Sequence, residues 1–133
     1  MSNPVTTKLT LEWLPESYAI CQFPPDTPLP SWFAPSALSS ASYTQNELSI
    51  VAPDTHIPSD VNAERGWRAI AIVGPLAFSL VGIMASLLKP LADAEISVLA
   101  LSTYDTDILL VRELDMERAT NALSPLVDIK PKI

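Results

Sequence analysis

Residues 102–107 read Ser102-Thr103-Tyr104-Asp105-Thr106-Asp107 and bring two carboxylates, a phenol and three hydroxyls into one short segment. Two aspartates at this spacing could move a proton on a substrate or help to hold a metal ion. Turn chemistry is the simpler account, because aspartate in a tight turn bonds its own backbone. His56 has no second histidine to join it in an imidazole metal cluster, and its position between Pro53 and Pro58 reads as a solvated loop. Cys21, inside a short apolar run, reads as a small buried hydrophobe and not as a nucleophile. The serines lie in no Gly-x-Ser-x-Gly elbow, and the glycines make neither Gly-x-Gly-x-x-Gly nor a loop ending in Gly-Lys-Ser/Thr. Neither a catalytic triad nor nucleotide binding is indicated. Phe78 and Met84 read as core, and Glu113-Leu114-Asp115 with Glu117 and Arg118 reads as a solvated helix entry favoured by the helix dipole.

These residues must be carried by a small fold. The 133 residues suffice for one modest core, and 48% hydrophobic against 17% charged excludes intrinsic disorder. The net charge of −7 is uneven: residues 1–63 hold Lys8 alone against six carboxylates, so no basic stripe exists for nucleic acid or an anionic membrane surface. One cysteine cannot form an internal disulfide, and residues 1–7 have no apolar signal core, which together point to a cytoplasmic protein. Residues 69–88 run without a charge for the length of a membrane span. Gly74-Pro75 divides that run into a β-branched strand and a helix too short to cross, so no membrane span is expected.

Nine of the thirteen prolines precede residue 60, whereas all three glycines follow it, which divides the chain into dissimilar halves, 1–62 and 63–133. In the first half, residues 8–13 and 18–23 read as two strands broken at Pro15-Glu16. A loop with five prolines over 24–35 follows, pinned by Trp32-Phe33, and then a hairpin of 41–44 with 48–52. The second half reads as a strand over 67–73, a helix over 78–94 tightened near its end by Pro90, strands at 96–101 and 108–113, a helix capped by Asp115 and running to Leu123, and a last strand at 127–129. That β-α-β-β-α-β order predicts an α+β, ferredoxin-like antiparallel sheet with two helices on one face. The turn over 74–83 would aim the unsatisfied N–H groups of the helix start outward, where they could receive an α-carboxylate.

The segments Val73-Gly74-Pro75-Leu76, Gly82-Ile83, Pro90-Leu91-Ala92, Ile96-Ser97-Val98 and Leu101 to Asp107 resemble the ACT-domain proteins of the arginine-sensor (CASTOR-like) type. Ser42-Tyr43-Thr44 and Glu47-Leu48-Ser49-Ile50-Val51 resemble a strand pair in the degenerate first ACT module of that family. The resemblance covers about residues 7–125. It implies a degenerate ACT-like module over 1–62 and an ACT module over 63–133, with regulatory binding of an amino acid at an interface between modules. It implies no chemistry by the module itself, no cofactor and no metal. The implied ligand contacts are Phe78, Ser79, Leu80, Val81, Gly82 and Ile83, then Thr103, Tyr104 and Asp107, with Ser97 and Val98 supplied by the facing module. A chain this short would pair with a second copy, giving a homodimer with two symmetry-related sites.

The family's arginine site carries an acidic residue where this chain has Leu80, so one contact for a cationic ligand is missing. A neutral or apolar amino acid, arginine and a related small metabolite all stay open. Two other classes also stay open: an enzyme reusing the pocket for proton transfer or isomerisation with Tyr104, Asp105 or Asp107 as acid or base, and an interaction subunit that binds no ligand.

Overall fold

A computed structural model describes residues 9–73 and 82–131. The chain divides into two compact units, residues 1–14 with 69–133, and residues 15–68. Its strands are β1 (Thr10–Phe23), β2 (Ser40–Tyr43), β3 (Leu48–Pro53), β4 (Ala63–Ile72), β5 (Val98–Ser102), β6 (Asp107–Arg112) and β7 (Asp128–Lys130), and its helices are α1 (Ile83–Asp93) and α2 (Met116–Leu123). The strand order is β2-β3-β1-β4-β6-β5, and β7 pairs with β1.

In the unit formed by 1–14 and 69–133, alternation on β6 sends Leu109 and Val111 to one face, where they join Ile70 and Ile72 of β4 and Leu11 and Trp13 of β1. Leu87 and Leu91 of α1 and Ala119 and Leu123 of α2 close the same cluster, so both helices cover one sheet face, as the sequence predicts. β7 pairs in parallel with Thr10–Glu12 of β1, which places the chain's first strand between the last strand and β4. In the unit formed by 15–68, Ala19, Cys21, Leu48, Ile50, Ala52 and Ile57 form a separate core, with Trp32 and Phe33 packed on it. The proline-rich loop is anchored there as expected, and the Phe23 and Trp32 rings stand 6.3 Å apart. Cys21 is buried in this core, and that burial pushes its thiol up.

Four local details depart from the sequence reading. α1 starts at Ile83, with left-handed Gly82 as its N-cap, and not at residue 78. β1 runs unbroken through Pro15-Glu16. On one edge of β1 the partner is β7 at residues 10–12 and β3 at residues 18–23, so Pro15, which has no N–H to give, lies between two ladders. Asp115 precedes α2 without capping it through its side chain, because residues 113–115 already form a 3-10 turn. Arg118 donates instead to the Asp115 carboxylate at 2.8 Å and also to the carbonyl of Ala94, joining the start of α2 to the end of α1. His56 lies in a single 3-10 turn, half-buried, and its Nδ1 has no partner.

Pro90 lies within the last turn of α1, as predicted, and the helix ends in paired closing bonds: Ile96 N–H donates to Leu91 at 3.0 Å and Glu95 N–H to Ala92 at 2.9 Å. The residue forced into the left-handed region is Glu95, with φ of 59°. Glycine takes that conformation without the Cβ penalty, so Glu95→Gly is expected to raise stability by about 1 kcal/mol in denaturant unfolding. A loss of stability would mean that the Glu95 side chain contributes more than its backbone costs.

Tyr18 on β1 is fully buried and its hydroxyl has no partner. Burial, reinforced by the Glu16 carboxylate and opposed by Arg68, pushes the phenol up to about 12. The unfolded chain ionises first, near the ordinary value of 10.0, so this residue's share of stability is intact below pH 10 and is lost as pH rises toward 12. Tyr18→Phe is expected to remove that alkaline slope and to leave neutral stability unchanged or up to about 1 kcal/mol higher, because no hydrogen bond is lost. Unfolding midpoints between neutral and strongly alkaline pH measure both.

Candidate functional site

The described part of the candidate site begins where β4 ends. Val73 N–H donates to the Thr10 carbonyl at 2.8 Å, and the Val73 side chain is exposed. Gly82 is the N-cap of α1 with φ of 77°, a left-handed conformation suited to glycine. The N-cap glycine has no side chain to cap the helix, and no acidic residue lies in its first turn. The first helical bond is Ser86 N–H to Gly82 at 2.9 Å, so the N–H groups of Ile83, Met84 and Ala85 precede the ladder. That end carries partial positive charge and matches the carboxylate of an amino acid in sign and in donor number. Phe78, Ser79, Leu80 and Val81, along with Gly74, lie outside the described residues.

The hairpin between β5 and β6 is closed by its own side chains. Ser102 and Asp107 form the last strand pair, and the Ser102 hydroxyl donates to the Asp107 carboxylate at 2.6 Å. Thr103 N–H donates to the Thr106 carbonyl at 2.8 Å, while Thr106 N–H donates to the Thr103 hydroxyl at 3.1 Å. The turn is therefore built from Ser102, Thr103, Thr106 and Asp107, whereas Asp105 is exposed. Tyr104 projects at the tip with 82% of its surface exposed. Among the described residues no group of three histidine, cysteine, aspartate or glutamate side chains could hold a metal ion.

Thr106 was not singled out by sequence reading, yet its hydroxyl donates to the Ile72 carbonyl at 2.7 Å and fixes the hairpin beside the exit of β4. The available signal was a threonine amid turn residues, and nothing in the spacing distinguishes a hydroxyl bonded across strands from one bonded within the turn. Thr106→Val is expected to release the hairpin tip while leaving the core intact. Faster amide exchange at residues 103–106, with an almost unchanged unfolding midpoint, would register that release.

The remaining predicted contacts divide by orientation. Ile83 and Val98 are half-buried and pack against the helix-side core, which leaves mainly their backbone for a ligand. Ser97 is exposed just before β5, about 16 Å along the strand from the Ser102 end. Ser97 and Val98 therefore lie at the opposite end of β5 from Thr103, Tyr104 and Asp107 of the same chain.

Comparison with known proteins bears on the family and the fold. Residues 62–125 match the sequence model of the ACT domain, and residues 16–60 match a second family described as an N-terminal domain. Residues 62–125 are an ACT domain. A crystal structure of protein Atu0741 from Agrobacterium tumefaciens is 33% identical, covers 93% of each chain and superposes with a TM-score of 0.86. The ACT protein is also 38% identical over 72 residues to the bovine (Bos taurus) cytosolic arginine sensor for mTORC1 subunit 1, a match that covers 50% of this chain and 22% of the sensor. The crystal structure of aspartokinase alpha and beta subunits matches over 90% of this chain and 98% of that one with a TM-score of 0.63, and at 16% identity it supports the fold alone. Among the described residues no helix is long and apolar enough to cross a membrane.

Proposed function

We propose that this ACT protein is a cytoplasmic regulatory sensor that binds an amino acid, or a closely related metabolite, where two copies of the chain meet. The observation that carries the reading is the start of α1, with glycine as its N-cap, on an ACT module related in sequence to a cytosolic arginine sensor. In this reading the ligand carboxylate takes the N–H groups of Ile83, Met84 and Ala85 at the helix start. Thr103, Tyr104 and Asp107 approach from the hairpin, and the partner copy lends its Ser97 and Val98 end of β5. The separation of about 16 Å along β5 favours two chains over one, since a single chain would have to span it. Leu80 in place of an acidic residue broadens the ligand class to neutral and apolar amino acids alongside arginine.

Thermal unfolding in the presence of each of the twenty amino acids tests the proposal, because a ligand that binds only the folded state raises the midpoint with concentration. One responder, with the dimer population rising alongside it in sedimentation velocity, is the expected result. No response to any of the twenty would remove the sensor reading. If the responder is basic, Asp107→Ala should abolish the response, whereas Ser102→Ala, which deletes the hydroxyl and keeps the carboxylate, should retain it.

A further inference from the structure

Two large apolar side chains stand far out of the helix-bearing unit, Tyr104 and Leu114, each 82% exposed. They mark opposite ends of one hairpin. Tyr104 is at the tip between β5 and β6, and Leu114 is in the 3-10 turn that follows β6. The two strands pair from Val98 with Val111 to Ser102 with Asp107, so the start of β5 lies beside the end of β6 and the Leu114 turn lies at the Ser97 end of the sheet. Within one chain the length of β5, about 16 Å, therefore separates Leu114 from Tyr104.

β5 is an edge of its sheet and pairs with β6 alone among the described strands. Edges that stay single are blunted by lysine, proline or an inward charge, and Val98-Leu99-Ala100-Leu101-Ser102 carries none of these. A second copy satisfies such an edge by antiparallel pairing in a closed two-fold interface. The site proposed above sets the register: the partner copy's Ser97 reaches Thr103 when the axis passes Ala100, from which both are equally distant. The same axis carries the partner copy's Leu114 turn to the tip of this chain's hairpin. About 10 Å, two strand spacings, then lies between the end of β6 and the partner copy's β5, a gap that a tyrosine ring and a leucine side chain fill from its two sides.

We propose that Leu114 of each copy packs on Tyr104 of the other and walls the amino-acid site at that hairpin, an inference that rests on the two-copy site proposed above. The test mixes a Tyr104→Cys chain with a Leu114→Cys chain and adds a short bismaleimide. Both positions are so exposed that the variants should unfold at the parent's midpoint. The mixture is expected to give several times more covalent dimer than either variant alone, because the two-fold keeps like positions at opposite ends of the paired strands. The parent, whose Cys21 is buried, sets the background. In sedimentation velocity Leu114→Ser should raise the dimer dissociation constant about tenfold and should add little to Tyr104→Ser. A mixture that cross-links no better than its components, a larger yield from Tyr104→Cys alone, an unchanged dissociation constant in Leu114→Ser, or a chain that stays monomeric at every concentration would each overturn the proposal. No amino acid is added, so the contact can stand when the amino-acid screen is silent and can fail when the screen responds.

Discussion

Replacing Trp13 by alanine is expected to remove about 4 kcal/mol of stability, a large share of the total of a domain this size. The indole is 4% exposed and lies in the cluster that joins β1, β4, β6 and both helices. Its Nε1 donates to the Thr120 hydroxyl at 3.1 Å, and that hydroxyl donates in turn to the Met116 carbonyl at 3.0 Å. The first strand is thus held to α2 by packing and by a polar relay. Trp13→Phe should cost far less, about 1 to 2 kcal/mol, because most of the apolar contact survives while the hydrogen bond does not. Thr120→Val should cost about 1 kcal/mol, with most of that cost absent in a Trp13→Phe background. Urea unfolding of the four proteins completes the cycle. A Trp13→Ala loss below about 1 kcal/mol would mean that the first strand is not integral to the helix-bearing unit.

The same residue shows what sequence could and could not convey. Alternation of Leu9, Leu11 and Trp13 marked a strand and its buried face, and the structure keeps both. Alternation does not name a neighbour, however. Nothing local in Thr10–Glu12 specifies a parallel pairing with Asp128–Lys130, more than a hundred residues away in sequence. Pro15 was legible as a break because proline ends central strands, and it fails to break β1 because two different ladders meet around it. At the end of α1 the tightening at Pro90 was readable, but the left-handed residue is Glu95, and glycine is the signal that sequence reading depends on there.

The candidate site was legible where it depends on local chemistry. A turn rich in serine, threonine and aspartate folds on itself, but Asp107 accepts from the Ser102 hydroxyl and Asp105 stands exposed, whereas the sequence pointed to an aspartate bonded to its own backbone. Thr106 escaped because its partner, the Ile72 carbonyl, is 34 residues away in sequence.

Arg65→Ala carries the second large expected effect, a loss of about 2 kcal/mol concentrated in the residue 15–68 unit. One guanidinium holds three points of the segment that follows β3. It pairs with the Asp54 carboxylate and donates to the carbonyls of Pro58 at 2.9 Å and Val61 at 3.2 Å. Beneath that segment Ile57, which is 4% exposed, seals the core that contains Cys21. Both partners of the ion pair are about one-third exposed, so solvent screening keeps the expected loss below that of a buried pair. Lysine in place of arginine retains a charge for Asp54 but cannot bridge to two carbonyls, so Arg65→Lys should fall between the parent and Arg65→Ala. Cys21 supplies a readout whose sign separates two causes. Arg65 draws the thiol down against the dominant effect of burial. If the segment stayed closed, removing Arg65 would therefore leave less thiolate and slow the reaction with a thiol reagent. If the segment opens, Cys21 becomes accessible and the reaction speeds up. Faster labelling of Arg65→Ala under native conditions is the expected outcome, and slower labelling would mean that Ile57 and its neighbours hold the segment without the guanidinium.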